Sequence, residues 1–193
     1  MYPTTQKLLN NSVISLKSIH EDTISMLIKR DFNGKYSYIR ELALKYGDSV
    51  DMLGLYINEI LVGYSVAGLF REKEEIHGEV GMVHISPPLR DIKLGSFLYL
   101  LQLSRIFKKN PNILYCEVAD QTGKIQHLIE KSGFMYSSED SKDGGHPIWL
   151  KKFLSNKDQA IFGQQLQETI EMRLSELNKN HKKLIAQTEK VLK

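Results

Sequence analysis

The sequence is short of cysteine, of proline and of excess charge: its 193 residues include one cysteine and five prolines, with 26 basic against 23 acidic side chains. The single cysteine, Cys116, cannot form an internal disulfide, which indicates a protein of a reducing compartment. Its apolar neighbours predict that its side chain is buried. The net charge of +3 is too small to indicate a nucleic-acid-binding face. No stretch approaches the roughly 18 apolar residues of a membrane span, and the first residues lack the basic and apolar regions of a secretion signal. We therefore expect a cytoplasmic protein with no membrane and no nucleic-acid partner.

Enough apolar residues are present for a folded core, since 41% of the chain is hydrophobic and 25% is charged, close to globular averages. A chain of this length has room for one ordinary domain and an appendage. The composition shifts near Asn156, after which proline is absent and Gln, Glu, Lys and Leu are frequent. We therefore expect one domain over residues 1–155 and a C-terminal helix over residues 156–193.

Stretches typical of strands and stretches typical of helices alternate along the first domain. The strand patterns are short and β-rich, and the helix patterns repeat apolar residues at three- and four-residue steps. We predict strands over residues 12–19, 52–56, 61–71, 79–86, 113–119, 134–137 and 148–153, and helices over 22–46 in two parts, 95–108 and 123–131. This order predicts an α+β, or mixed α/β, domain in which a central, mostly antiparallel sheet is flanked by helices.

Apolar residues in the C-terminal segment repeat every seven positions, at Ile170, Leu177, Leu184 and Val191. This spacing predicts an amphipathic helix with one apolar seam. A second row that begins at Leu174 continues with polar residues, so a long coiled coil is not expected. The seam packs either against a second subunit or back onto the sheet domain, and the homo-oligomer that we expect would use the first arrangement.

The most informative stretch, residues 83–98, has the pattern of a strand, a turn and a helix. A turn that opens into a helix presents unpaired backbone N–H groups and the positive end of the helix dipole, which suits a pyrophosphate. Arg90 and Lys93 add positive charge in this turn. The pattern indicates a phosphate-binding loop, although many turns of this kind bind nothing.

Two segments carry a resemblance to a known family. Residues 85–95 read Ile-Ser-Pro-Pro-Leu-Arg-Asp-Ile-Lys-Leu-Gly, and residues 125–134 read Ile-Gln-His-Leu-Ile-Glu-Lys-Ser-Gly-Phe. The first resembles the phosphate loop of the GNAT superfamily of acetyl-CoA-dependent N-acyltransferases, Gln/Arg-x-x-Gly-x-Gly/Ala after a strand that ends in Val-x-Pro. The second is similar to the later motif of that family, Ala-x-x-Leu-Tyr-Glu-Lys-x-Gly-Phe. The motifs lie in the family's order and spacing, and the resemblance covers about residues 13–153.

The resemblance implies a GNAT fold and the transfer of an acetyl group from acetyl-CoA to a primary amine, by direct attack in a ternary complex and without a metal. The acceptor is then a small amine, a lysine side chain or a protein N-terminus. The resemblance also implies that the strand carrying Val83 and Ile85 splays from its neighbour and holds the pantetheine arm and the acetyl carbonyl. Thr122 would flank the cofactor, and its pyrophosphate would be cradled by Arg90, Asp91, Ile92, Lys93, Leu94, Gly95 and Ser96.

Two residues depart from the family pattern. Lys93 replaces the first glycine of the phosphate loop, where a side chain either crowds the phosphates or adds an ionic contact to them. Ile129 stands where many relatives place a tyrosine that protonates the leaving thiolate. Tyr136 and Tyr99 are candidate substitutes for this acid, and packing alone also accounts for each of them.

An amine must lose a proton before it attacks a thioester, so a nearby base is expected. Glu79 lies close to where the resemblance to the histone-acetyltransferase branch of the superfamily places a glutamate base. The alternative interpretation of Glu79 is a solvated glutamate at the end of a strand. His84 is the second candidate, because an imidazole titrates near neutrality. Strand alternation directs His84 to the face opposite Val83 and Ile85.

A second hypothesis is a non-catalytic module with a GNAT-like fold that binds acyl-CoA or assembles through its C-terminal helix. Lys93, Ile129 and the C-terminal segment motivate it. The enzyme releases CoA in the presence of an amine, and the module does not. The remaining histidines have no cysteine partner and no ligand spacing, so no metal site is expected.

Overall fold

A computed structural model describes residues 13–32, 37–117, 124–137 and 148–192, and within them seven strands form one sheet. The strands are β1 (Ile14–Ser18), β2 (Asp51–Ile57), β3 (Ile60–Glu72), β4 (Glu75–Ile85), β5 (Ile113–Glu117), β6 (Met135–Ser137) and β7 (Ile148–Lys152). The helices are α1 (Glu21–Phe32), α2 (Ser37–Tyr46), α3 (Leu94–Phe107), α4 (Lys124–Lys131), α5 (Asn156–Lys179) and α6 (His181–Thr188). The mixed α/β architecture predicted from the sequence is confirmed. Residues 138–147, between β6 and β7, lie outside the described residues.

The sheet has the order β1-β2-β3-β4-β5-β7-β6, and its described neighbours pair antiparallel except β4 and β5, which are parallel. The mostly antiparallel sheet is therefore also confirmed. The hairpin between β2 and β3 turns at Asn58 and Glu59, whose φ angles of 48° and 65° suit a two-residue type I′ turn. β4 begins at Glu75, earlier than the predicted residue 79, because pairing with β3 supports a charged segment of low strand propensity.

Helices cover both faces of the sheet. α1 and α2 cover one face, called here the α2 face, where a small apolar cluster contains Ile24, Leu42, Tyr46, Tyr64 and Val66. α3 covers the opposite face, called here the α3 face. Ten of the 14 residues of α3 are buried, which accounts for a sequence that is apolar over most of the helix circumference.

Two glycines on the α2 face allow Tyr46 to lie directly on the sheet. A Cβ at Gly68 would lie 2.3 Å from Cγ of Tyr46, and a Cβ at Gly81 would lie 2.2 Å from its hydroxyl oxygen. Neither position has room for a side chain in a close-packed interior. This close approach holds the C-terminal end of α2, including Lys45, over β3 and β4.

The C-terminal helices α5 and α6 pack on the sheet domain of the same chain. Their apolar residues belong to the buried cluster that also contains α3 and the sheet: Phe162, Leu166, Ile170, Leu174, Leu177, Leu184 and Val191. The ring of Phe162 lies 5.1 Å from that of Phe107 and 5.4 Å from that of Phe153, between centroids. The seven-residue seam of the sequence is therefore buried against its own chain.

The C-terminal segment forms two helices where the sequence predicts one. α5 ends before Asn180, whose backbone (φ −102°, ψ 18°) is not helical, and α6 follows directly. Thr188 belongs to the second row, which begins at Leu174, and its side chain is buried. Its hydroxyl donates to the carbonyl of Leu184 at 2.8 Å, so the buried polar group has a hydrogen-bond partner. A polar residue at this position is thus compatible with packing.

Candidate active site and phosphate loop

β4 and β5 pair over a short length and then separate. Their register ends with the pair Glu79 and Tyr115, and no described residue continues it, whereas β4 itself runs on to Ile85. Over the described residues, the backbone of β4 beyond Glu79 is open toward β5. The strand segment that carries Val83 and Ile85 thus splays from its neighbour.

A β-bulge in β4 decides which side chains share a face. The register between β3 and β4 shifts at this point and leaves Gly81 as an extra residue. Strict alternation would direct Glu79 and His84 to opposite faces. The extra residue reverses the alternation, so both lie on the α2 face: Glu79 contacts Lys45 of α2, and the ring of His84 lies 5.4 Å from that of Tyr64.

Glu79 is a buried carboxylate with a cation beside it. Its side chain is 2% exposed, and Nζ of Lys45 lies 2.7 Å from its Oε2. The ammonium group also lies 4.3 Å from the ring centroid of Phe70 and 5.2 Å from that of Tyr115. A carboxylate in an apolar interior needs such a partner to stay ionised. Glu79 is therefore not the solvated strand end that the sequence left open.

Sequence reasoning did not find Lys45. It lies on a helix that is distant from Glu79 along the chain, and no spacing or motif joins the two residues. Only the packing of α2 on the sheet, with Tyr46 over its two glycines, brings this lysine to the carboxylate.

His77 lies on the same face as Glu79, because the two residues are separated by one position of the strand. Its ring lies 5.0 Å from that of Phe70 and 6.4 Å from that of Tyr115. Burial lowers the pKa of His77, so the imidazole is neutral at neutral pH. Its Nδ1 has no hydrogen-bond partner among the described residues. The sequence gives no reason to single out this histidine, and the structure makes it the neighbour of the buried carboxylate.

The other two catalytic candidates lie away from Glu79. His84 is five residues further along β4, about 15 Å at the usual rise of a strand. Tyr136 lies on β6, three strands from β4, where its side chain is 58% exposed and its ring contacts that of Trp149 edge-on. The structure does not bring Glu79, His84 and Tyr136 together.

A buried hydroxyl near the opening belongs to Tyr99 of α3. It contacts Cys116 of β5, the residue that follows the last parallel pair, and Cys116 is buried as predicted. Burial raises the pKa of Tyr99 well above its usual range, so the hydroxyl stays protonated. Ile129 of α4 is completely buried and supplies no proton.

The loop between β4 and α3 begins with a 3-10 turn, Pro87–Leu89. Nε of Arg90 donates to the carbonyl of Ile85 at 3.2 Å, so its guanidinium lies back against the end of β4. Asp91 and Lys93 have φ angles of 66° and 67°. This left-handed region favours glycine, which accounts for the glycine of the resembled motif at the position of Lys93.

The side chain of Lys93 reaches toward α5, where its Nζ lies 3.4 Å from Oε2 of Glu176. The Ser96 hydroxyl donates to the carbonyl of Lys93 at 2.9 Å and closes the first turn of α3. The first N–H groups of a helix have no partner within it, so this turn offers donors to an anion. A Cβ at Gly95 would lie 3.6 Å from the nearest atom, an ordinary contact, so the turn has room beside the glycine.

The apolar side chains among the predicted binding residues are packed against the core. Val83 and Ile85 lie on the α3 face in the main apolar cluster, with Leu94 buried and Ile92 partly buried beside them. They hold the loop against α3 and the sheet. Thr122 lies outside the described residues.

Two further properties concern the described part of the chain. Within it, no three His, Cys, Asp or Glu side chains gather in a way that would hold a metal ion. None of its helices combines the length and the apolar character needed to cross a membrane.

No protein-family model and no curated protein sequence matches this chain. Solved structures do match it. A GNAT-family protein from Desulfovibrio desulfuricans has a TM-score of 0.56 and 13% identity, over 72% of this chain and 98% of the other. The ribosomal-protein-S18-alanine N-acetyltransferase of Escherichia coli has a TM-score of 0.52 and 14% identity, over 71% and 90%. Naa50 of Arabidopsis thaliana, solved with the bisubstrate analogue CoA-Ac-MVNAL, has a TM-score of 0.52 and 19% identity, over 73% and 99%.

The chain therefore has the GNAT fold, as the two motifs imply. The structural neighbours are acetyltransferases of that family, and at these identities the likeness is one of fold.

Proposed function

We propose that this protein is an N-acetyltransferase that moves an acetyl group from acetyl-CoA to a primary amine by direct attack in a ternary complex. The observation that carries this proposal is a single strand, β4, that combines an opened edge with a buried, cation-paired carboxylate. Glu79 is the last residue paired with β5 and is held by Lys45. The fold shared with acetyltransferases supports the same reaction class.

The residues around the opening fit acetyl-CoA, which supplies an activated thioester when bound. Among the described residues, none of β5 pairs with positions 80–83 of β4, and the backbone there can bond to the amides of a pantetheine arm, as in the addition of a strand to a sheet edge. The first turn of α3, with Gly95 and Ser96, offers N–H groups and the positive end of the helix dipole to a pyrophosphate. Lys93 leaves this turn accessible because its side chain reaches toward Glu176.

Glu79 is the proposed proton acceptor. The amine nitrogen bonds to the acyl carbon, the carbon–sulfur bond breaks, and CoA leaves as a thiolate that takes a proton from solvent. The proton of the amine passes to Glu79, directly or through a water molecule. Lys45 favours the ionised carboxylate, which is the form that accepts this proton.

The acceptor class is a primary amine, and peptide α-amines are the first to test. One structural neighbour is named for the N-acetylation of a protein alanine, and another was solved with a peptide joined to CoA. Lysine side chains and small polyamines complete the panel.

Calorimetric titration with acetyl-CoA tests the binding step. The wild-type protein should bind it, and Ser96→Glu should not, because the new carboxylate repels the pyrophosphate at the helix N terminus. The same carboxylate favours the helix dipole, so the variant should fold as well as the wild type, and Ser96→Ala is its control. Failure of the wild-type protein to bind acetyl-CoA would overturn the proposal.

A thiol-release assay with the acceptor panel tests the chemistry. Glu79→Gln should bind acetyl-CoA as the wild type does and lower the rate by about 100-fold or more, the usual contribution of a general base. An unchanged rate would remove Glu79 from the proposed mechanism.

The second candidate function is a non-catalytic acyl-CoA-binding module. The completely buried Ile129 favours this function, because it stands where many relatives of the resembled family place a tyrosine that protonates the leaving thiolate. Binding of acetyl-CoA without thiol release for any amine of the panel would establish this function instead.

A further inference from the structure

A cleft of about 310 Å³ lies between the phosphate loop and the C-terminal helices. The loop contributes Asp91, Ile92 and Lys93 to its walls. The junction of α5 and α6 contributes Glu176, Leu177, Lys179, Asn180, Lys183 and Leu184. Lys93 belongs both to this cleft and to the turn that opens α3, so the two are contiguous.

Three lysines and two carboxylates, Asp91 and Glu176, line the cleft, so the cations exceed the anions by one. Glu176 is shared by Lys93 at 3.4 Å and Arg173 at 3.0 Å, and both cations lower the pKa of its carboxyl group. The exposed Lys179 and Lys183 line the same cleft, and neither has an ion-pair partner among the described residues. Two of the three lysines in the lining therefore form no ion pair within the described part of the chain.

Two such lysines beside a helix N terminus are suited to a phosphate group. An ammonium is a compact charge with rotatable donors, which binds phosphate without a fixed geometry. The cleft volume is about ten times the ~30 Å³ that one water molecule occupies in the liquid, which leaves room for a phosphate and an attached sugar. The break at Asn180 is what brings both lysines to this cleft, because Lys179 ends α5 and Lys183 lies in the first turn of α6.

We propose that the C-terminal helices complete the cofactor site, with Lys179 and Lys183 binding a phosphate group of CoA in the cleft beside the phosphate loop. This inference rests on the proposed function, because it takes CoA as the ligand. It assigns the C-terminal segment a direct part in binding, in addition to its packing on the sheet domain.

Calorimetry on the full-length protein tests the proposal with two ligands, CoA and 3′-dephospho-CoA. The variants are Lys179→Ala and Lys183→Ala, and the matched control is Lys182→Ala, an exposed lysine of α6 that does not line the cleft. Each cleft variant should weaken CoA binding by roughly tenfold, the scale of one charge-assisted contact, and the control should bind as the wild type does.

The second ligand identifies the phosphate. A loss confined to CoA assigns the cleft to the 3′-phosphate, and an equal loss with both ligands assigns it to the pyrophosphate; either result supports the proposal. Cleft variants that bind CoA as tightly as Lys182→Ala would overturn it and leave the proposed function standing. A wild-type protein that binds neither ligand would overturn both. Thermal melting checks that each variant is folded. Lys183→Gln repeats the test with a neutral side chain that is longer than the alanine of the first variant.

Discussion

Nζ of Lys45 lies 2.7 Å from Oε2 of Glu79, so a helix over the α2 face supplies the counter-ion for a carboxylate buried within the sheet. The pair joins a partly exposed lysine to a glutamate that is 2% exposed. Its energetic value therefore lies mainly in avoiding an unpaired buried charge.

Replacing Lys45 with methionine should lower the free energy of unfolding at neutral pH by about 1–3 kcal/mol, since Glu79 would remain buried without a cation, with partial exposure of the lysine moderating the loss. The double variant Lys45→Met/Glu79→Gln should be less destabilised than the sum of its single variants. Urea denaturation of all four proteins measures the coupling. Strictly additive losses would show that the two side chains do not interact.

The C-terminal helices should contribute strongly to stability through Phe162, which is 3% exposed among three aromatic neighbours. Phe162→Ala should cost about 3–5 kcal/mol, because it leaves a cavity in the core. The adjacent Ile161 is 47% exposed, and Ile161→Ala should cost less than about 1 kcal/mol. Denaturation midpoints compare the two. Equal midpoints would mean that α5 is not docked on the sheet domain as described.

The backbone at Lys93 should be strained, because its φ of 67° lies in the left-handed region. Both Lys93→Gly and Lys93→Ala remove the contact with Glu176, so their difference isolates the backbone. The glycine variant should be more stable than the alanine variant by about 1 kcal/mol. Thermal melting measures this difference, and an alanine variant at least as stable would argue against a left-handed conformation there.

Tyr99 should make the protein less stable at alkaline pH. Burial raises its pKa in the folded state, so above about pH 10 a tyrosine in the unfolded chain loses its proton while folded Tyr99 keeps it. The unfolded state then binds fewer protons, and the free energy of unfolding falls as the pH rises through this range, by up to about 1.4 kcal/mol per pH unit for one group. Below about pH 10 Tyr99 is protonated in both states, so its raised pKa does not change the free energy of unfolding.

Tyr99→Phe should remove this contribution. Between about pH 10 and 11 its unfolding free energy should decline less steeply than that of the wild type. Lysines and the other tyrosines affect both proteins equally, so the difference in slope reports Tyr99. Parallel slopes would contradict a raised pKa for its hydroxyl.

Much of the fold follows from local patterns that act over a few residues. The Asn58-Glu59 turn, the apolar circumference of α3 and the end of α4 before Gly133, whose φ is 78°, each depend on neighbouring residues. The loop between β4 and α3 belongs to this group, because a strand, a turn and a helix in succession form it. These features depend on backbone sterics and hydrophobic periodicity, which a short segment expresses by itself.

The candidate site was predicted only in part. Glu79 and the loop around Lys93 lie on one continuous segment, so the sequence finds them. Strand alternation does not place Glu79 and His84 on one face, because the bulge at Gly81 is visible only in the pairing of β4 with β3. The edge position of Tyr136 likewise depends on the strand order, which no local pattern specifies.

The sequence by itself determined the element order of the sheet domain, the turn between β4 and α3 and the strand that holds the buried carboxylate. Only the tertiary structure decided that Lys45 pairs with Glu79, and that Lys93 contacts Glu176, 83 residues further along the chain. Such contacts arise when amphipathic elements bury their apolar faces together, and the charged residues at the borders of those faces then meet. The packing of the whole domain decides which charged residues become partners, so no local motif predicts these pairs.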